Sequence, residues 1–410
     1  MRISTKTLFE NSSTRMSELQ SNLMRTQQQI SAGKKVLSAA DDPVGAARAL
    51  EISQSLAVNE QYTTNRANVK DTLKQEESTL AQVTDLLHTV KTAIVQAGNG
   101  ALDDAQRKFI AAELRSQFDQ LMSLANAKDS MGNYLFGGYK SSSAPFVQSL
   151  AGASYLGDQG QRMLEVGPSR MMDQGDSGDV VFEANKTGNG RFETSPATTL
   201  VGNIVRQTNQ GTGVISPGTV VNAAALTGHD YEIRFGDSGN AFSVYDMTLP
   251  GQPMIASGTY VPGNTIAFDG LQLDVKGLPA AGDVFTVKPS QNQSIFNTLK
   301  NLIDVLEFPA TGAGGQAVLQ NGLNTANSNV DNALDNILGV RAAVGARLRE
   351  IDAMDSAGED RALQYAETLS EIQELDYTKA ITELMQQQTT LQASQQAFVK
   401  ISGLSLFNYI

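Results

Sequence analysis

A chain of 410 residues with 31 Lys and Arg against 43 Asp and Glu carries a formal charge of −12. That balance, with basic residues scattered along the chain, excludes a nucleic-acid partner, because a phosphate backbone is bound by clustered positive charge. The absence of cysteine excludes disulfides, thiolate nucleophiles and Cys-ligated metals, and no apolar run approaches the roughly 20 residues of a membrane crossing, so no membrane partner is expected.

The opening MRISTKTLFENSSTRMSELQ has no apolar stretch behind its basic residues, so it is not read as a Sec-type signal peptide. Positions 9, 12, 16, 19, 23, 26 and 30 follow alternating steps of three and four, the spacing of a stripe that faces a partner helix. Phe9, Met16, Leu19, Leu23 and Ile30 fill that seam, and Ser12 and Thr26 interrupt it. Asp41, Asp42 and Pro43 then announce a new helix, with Asp42 as N-cap and Pro43 in the first helical position.

This second helix runs to Gly98-Asn-Gly, and about 56 residues at 1.5 Å each make a rod on the order of 80 Å long. Its seam at 69, 73, 76, 80, 83, 87, 90, 94 and 97 is apolar except at Glu76. Asp103 and Gln106 are spaced as a capping box, which opens a helix carrying Phe109, Ile110, Leu114, Phe118, Leu121 and Leu124.

Between Pro145 and Pro289 lie nine of the eleven prolines, with many of the glycines. Punctuation of that density predicts strands and turns. Tyr231, Ile233 and Phe235 alternate with polar residues, as do Leu271, Leu273 and Val275; Phe242/Val244 and Ile266/Phe268 are shorter alternations. Beyond this insert, positions 319, 323, 326, 330, 333, 337, 340 and 344 restore the helical seam. At the far end Tyr377, Leu384, Leu391 and Phe398 recur every seven residues, with Ala380, Gln387, Ser394 and Ile401 between them.

The fold class that follows is mainly α, with long coiled-coil-like helices formed by both ends of the chain and an antiparallel β domain inserted in the middle. Each terminal seam holds few apolar side chains, worth roughly 1.5–3 kcal/mol apiece when fully buried. Ordering each residue costs about 1–2 kcal/mol of backbone entropy, so a lone pair of such helices is marginal. The tails are therefore expected to be loose in the monomer and helical when many copies stack.

Catalytic constellations are not found. His88 lies on a helix face and His229 in a turn, and no G-x-S-x-G elbow presents a serine. Capping and the helix field account for Asp41-Asp42 and Asp103-Asp104. Asp173, Asp176 and Asp179 lack the spacing of a calcium loop and read as an acidic turn. Gly312-Ala-Gly-Gly lacks the lysine of a phosphate loop and reads as a connector between helices. No enzyme, metal or cofactor is expected.

The segments QQISAGKKV (28–36) and DDPVGAA (41–47) resemble the N-terminal signature of the flagellin superfamily. The opening MRIST, the run NYLFGGYK (133–140), APF (144–146) and the ending LSLFNYI (404–410) resemble one branch, the hook-associated proteins of the hook–filament junction. The motifs GLQLDV (270–275) and GDVFTV (282–287) look like strands of hook-associated proteins. The resemblance covers roughly residues 1–147 and 290–410.

It implies an extracellular structural subunit of the bacterial flagellum, exported from the cytoplasm by the flagellar type III system. Its implied partners are other copies of itself, the first hook–filament junction protein, flagellin, the filament cap protein and an export chaperone on the C-terminal helix. Residues 1–42 and 359–410 would form the inner tube, 43–143 and 291–358 a helical rod, and 144–290 an outer β domain. Inner-tube contacts would fall on the two terminal seams, completed by Leu404, Leu406 and Phe407. Asp41, Asp42 and Pro43 would form the inter-domain turn. Tyr134, Leu135, Phe136, Gly137, Gly138 and Tyr139 would form the turn at the end of the rod. Flagellin itself is the alternative, disfavoured by the aromatic ending; a secreted enzyme carried in the insert is remote, since no paired histidines exist for a zinc site.

Overall fold

The computed structural model describes residues 5–201, 204–236 and 239–403. Its helices are α1 (Thr5–Ala32), α2 (Pro43–Ala97), α3 (Asp104–Ala125), α4 (Ile295–Glu307), α5 (Gly312–Gln373) and α6 (Tyr377–Gly403). The chain divides into two compact units, one made of residues 1–65 and 352–410 and the other of residues 66–351.

In the first unit α1 and α6 pack antiparallel, beside the opening turns of α2 and the closing turns of α5. Local chemistry sets each end. Gly33, at φ +66°, stops α1 in the left-handed conformation, and the Lys34 N–H reaches back to the Gln29 carbonyl at 3.2 Å. Asp42 caps α2 by accepting the Gly45 N–H at 2.9 Å, with Pro43 opening the helix as its spacing predicts. Asp376 does the same for α6, accepting the Lys379 N–H at 3.0 Å. The Asn59 amide donates to the Gly358 carbonyl at 2.9 Å and ties α2 to α5.

In the second unit every position of the 69–97 seam is buried, and so is every position of the 319–344 seam. The Asp103–Gln106 capping box forms in both directions. Ile110, Leu114, Phe118 and Leu121 are buried against α4, where the Phe118 and Phe296 rings meet edge-on at 5.6 Å. Two expectations need correction. Phe109 is 74% exposed, because residues 107, 110, 111, 114 and 118 already fill the inward stripe. Gly312, Gly314 and Gly315 are the first turn of α5 and not a connector. A Cβ at Gly315 would stand 2.7 Å from the Ala310 carbonyl carbon, so the small residue lets the incoming chain press against the helix.

The insert is built from antiparallel pairs throughout its described strands. Three hairpins stand apart: β1 (Phe146–Ser149) with β2 (Gly152–Tyr155), β3 (Met163–Gly167) with β4 (Arg170–Asp173), and, further along the chain, β7 (Thr198–Val201) with β8 (Ile204–Gln207). A π-turn, Asp179–Glu183, follows β4, and β5 (Asn185–Lys186) precedes β6 (Phe192–Pro196). The remaining strands are β9 (Val214–Ile215), β10 (Thr219–Val220), β11 (Tyr231–Phe235), β12 (Ala241–Asp246), β13 (Met254–Thr259), β14 (Thr265–Phe268), β15 (Leu271–Lys276), β16 (Val284–Pro289) and β17 (Asn292–Gln293).

A five-stranded sheet in the order β13-β12-β11-β16-β6 and a four-stranded one of β10-β15-β14 with β9 share one core. Tyr231, Ile233, Phe235, Leu271, Leu273 and Val275 all point into it, as their period-two spacing requires. The Phe235 ring meets Tyr260 edge-on at 5.0 Å and Phe285 at 5.8 Å. Strand β17 pairs with β5 and returns the chain to α4.

Candidate assembly surfaces

The terminal helices meet along the seam read from the sequence. Met16, Leu19, Leu23 and Ile30 of α1 and Leu384, Leu391 and Phe398 of α6 are each half-buried. Phe9 touches Phe398, with ring centroids 5.0 Å apart, yet remains 54% exposed. Ala380 is buried, while Tyr377 is half exposed and covers Gly33, where a Cβ would stand 2.8 Å from the Tyr377 hydroxyl. Ile401 belongs to the last turn of α6; Leu404, Leu406 and Phe407 lie outside the described residues.

Half-burial means that each seam residue delivers only part of the roughly 1.5–3 kcal/mol available from full burial. Away from the seam, Met24, Ile381, Met385 and Val399 are exposed, Met385 to 62% and Val399 to 67%. Apolar surface on both flanks of a thin two-helix pair is surface that further helices can cover.

Residues 33–43 form a tightly bonded turn in the same unit. The Lys35 N–H donates to the Gln373 carbonyl at 2.8 Å, the Leu375 N–H to Gly33 at 3.2 Å, and the Gln29 amide to Lys35 at 2.7 Å. Asp41 accepts the Leu37 and Ser38 N–H groups at 3.2 and 3.0 Å and pairs with Arg25 at 3.1 Å. Burial pushes the Asp41 carboxyl up, but the Ser38 hydrogen bond and the Arg25 charge outweigh it and hold it below its ordinary value. Beside this turn Val36, Leu37, Ala46, Leu50 and Ile372 line a groove of about 270 Å³.

The 134–139 turn belongs to the other unit. It follows a β-bend in which Asp129 accepts the Met131 and Asn133 N–H groups at 2.9 and 2.8 Å, and the Leu135 N–H returns to Ala127 at 2.9 Å. Leu135, Phe136, Gly137 and Gly138 are buried, Tyr134 is half-buried and Tyr139 is exposed. Gly138 has φ +66°, and a Cβ there would lie 2.4 Å from the Asp158 carbonyl oxygen, so only glycine fits. Asp158 binds the N–H groups of Tyr139, Lys140 and Gly160 at 2.8, 3.1 and 2.9 Å. The Tyr139 hydrogen bond leads the causes that hold the Asp158 carboxyl below its ordinary value. Phe136 stacks edge-on against Phe182 at 5.1 Å, Phe182 against Phe146 at 5.3 Å, and Phe146 lies 5.2 Å from Phe296.

One set of residues escapes the sequence reading altogether. Asn321 exchanges bonds of 3.0 Å with the Ile215 N–H and the Gly213 carbonyl. Asn329 accepts the Gly188 N–H at 2.9 Å, and Asn332 donates to Lys186 and Gly188 at 2.7 and 2.8 Å. Asn336 donates to the Val180 and Val181 carbonyls at 2.9 and 3.1 Å. Together they hold the insert against α5. Asparagine is a weak helix former, so its density between 321 and 336 inside a long helix was the available signal.

His88 is exposed on α2, and His229 Nδ1 lies 2.6 Å from Asp246 in the insert. Asp176 is occupied by Arg347. No described helix is long and apolar enough to cross a membrane.

Residues 3–141 match the bacterial flagellin N-terminal helical region. Flagellar hook-associated protein 3 of Escherichia coli is 28% identical over 408 residues, 99% of each chain. Among solved structures, flagellar hook-associated protein 3 of Legionella pneumophila superimposes with a TM-score of 0.71 at 33% identity, covering 78% of this chain and 98% of that one. A structure described as the flagellar junction protein of the same organism gives 0.69 at 32% identity, covering 80% and 100%. With a superposition of this quality and an identity above 30% across nearly the whole of the solved relatives, the chain belongs to the flagellar hook-associated protein 3 family.

Proposed function

We propose that the chain is a structural subunit of the bacterial flagellum that joins the hook to the filament and offers flagellin a lattice on which to assemble. The observation that carries this reading is likeness over 99% of both chains to a hook-associated protein, joined to a terminal helix pair whose seam is only half-buried. Such end-to-end likeness favours the junction subunit over flagellin. The mechanism is geometric. Residues 1–42 and 359–410 of many copies pack as an inner tube, with seam contacts from Phe9, Met16, Leu19, Leu23 and Ile30 and from Tyr377, Leu384, Leu391, Phe398 and Ile401, continued by Leu404, Leu406 and Phe407. Asp41, Asp42 and Pro43 turn the chain into the rod of 43–143 and 291–358, and Tyr134 to Tyr139 form the turn at its end. The insert of 144–290 lies outside.

On this reading one face of the layer fits the first junction protein and the other receives the filament cap protein and flagellin. The subunit reaches the cell exterior through the flagellar type III system, with a chaperone holding the C-terminal helix. Before assembly the terminal helices are loose. Deleting the gene and assaying culture medium for flagellin tests the proposal. Intact hooks, no filaments and flagellin released as monomer are expected. Hooks with no flagellin anywhere would make the chain the filament subunit, and normal swimming would overturn the reading.

A further inference from the structure

Glu76 is the one charged residue in the α2 seam, and it is 1% exposed. It faces the segment between β4 and the π-turn. Its Oε1 accepts the Asp176 N–H at 3.1 Å, while its Oε2 is buried without a hydrogen-bond partner. The Asp176 carboxylate pairs with Arg347 of α5 and accepts the Gln161 amide at 3.4 Å. Two buried carboxyls therefore share one guanidinium. The other charged groups nearby do not relieve the imbalance. Glu77 of α2 is committed to Arg341 of α5, Asp173 and Asp179 flank the segment with further carboxyl groups, and burial first, then the Asp179 charge, pushes the Glu183 carboxyl up.

An uncompensated buried charge is costly, and the inexpensive remedy is a proton. A protonated Oε2 turns an orphaned acceptor into a donor beside the Asp176 carboxylate. Burial first, and the Asp176 charge second, push the Glu76 carboxyl up to about 8. The segment it holds is built into its surroundings: the Gly178 N–H donates to the Phe136 carbonyl at 2.9 Å, and Gln174 to Arg162 at 2.8 Å. Gly175 lies against Glu76, where a Cβ would be 3.1 Å from Oε2.

We propose that Glu76, Asp176 and Arg347 form a proton-dependent clasp that holds residues 174–178 against α2 and α5 and opens when Glu76 loses its proton. Release frees the loop that backs the 134–139 turn, so the clasp makes that end of the unit responsive to alkaline conditions. The stabilisation is complete below the ordinary Glu value of 4.5 and is lost as the pH rises through about 8.

Amide hydrogen exchange of residues 174–178 in the full chain, corrected for the intrinsic rate at each pH, tests this. Protection is expected to fall by up to about tenfold per pH unit on approach to the folded-state value, since a unit of pKa is a tenfold bias. Glu76→Gln keeps the shape and the donor but cannot ionise, so its protection is flat with pH. Asp176→Asn removes the competing charge and moves the fall to lower pH. A Glu76→Gln profile with the wild-type slope would overturn the clasp. Infrared spectroscopy of the wild type needs no variant: a protonated buried carboxyl band is expected at neutral pH and disappears on alkalinisation, and its absence at neutral pH would equally overturn it.

Discussion

Thr26 and Gln387, each one of the polar positions in a mainly apolar seam, face one another, with the Thr26 hydroxyl 3.2 Å from Gln387 Oε1. Thr26 is 6% exposed, the most enclosed side chain described on α1. A buried polar pair in a narrow seam favours one register, because sliding by one turn parts the two side chains. Thr26→Val or Gln387→Leu alone is expected to cost about 1 kcal/mol, and the double variant less than the sum. Circular dichroism melts of the four proteins give the coupling energy.

Charge in the seam separates folding from assembly. Leu23→Glu and Leu391→Glu are expected to leave the second unit folded, with its melting transition unchanged, and to abolish filament formation in cells lacking the native copy. Electron microscopy of those cells, with dichroism of the purified variants, checks both halves. Large helix loss beyond the terminal pair would show that the seams already stabilise the monomer.

Deleting about 40 residues from each end removes α1 and α6. The remaining fragment is expected to be soluble, monomeric in sedimentation and cooperative in urea, because the 69–97 and 319–344 seams and the insert core are retained whole. Aggregation would mean that the tails shield surface in the lone chain.

At the 134–139 turn, Gly138→Ala forces a Cβ into the Asp158 backbone and is expected to cost more than about 1 kcal/mol. Asp158→Ala takes the acceptor from three N–H groups at once. Because the Asp158 carboxyl is held below its ordinary value of 3.8, its contribution is present above that value and is lost as the pH falls through the folded-state one. Thermal melts across acidic pH should therefore converge for wild type and Asp158→Ala.

Phe109 and Phe118 provide the internal contrast on one helix. Phe109→Ser is expected to change stability by less than about 0.5 kcal/mol, as for an open surface site. Phe118→Ala, which empties a buried ring site against Phe296, is expected to cost about 3–5 kcal/mol. Urea titration of the two variants decides the matter.

That contrast also marks how far the sequence is legible. Period alone found the buried faces of α2 and α5, and two side-chain patterns, Asp42-Pro43 and Asp103 with Gln106, found helix starts to the residue. Both signals are local, carried by neighbours within one turn. Phe109 defeats periodicity because a ring beside the stripe looks like a ring on it. Glu76 was visible as an exception, but its explanation sits on Asp176, 100 residues downstream, and on Arg347. The short hairpins before Thr198 have too few alternating positions to announce themselves, and α4 lies close behind a strand, with no proline between them. Register between α1 and α6 depends on Thr26 finding Gln387, which no single stretch of chain encodes.

Asn321, Asn329 and Asn332 hold the insert by its main chain alone: every group they bind is a peptide N–H or carbonyl. A peptide group is the same in every amino acid, so this grip does not read the side chains it carries. Mutations that keep the path of the backbone from Lys186 to Ile215 therefore keep these asparagine contacts. At these three positions the fastening of the insert is indifferent to the identity of the residues it holds.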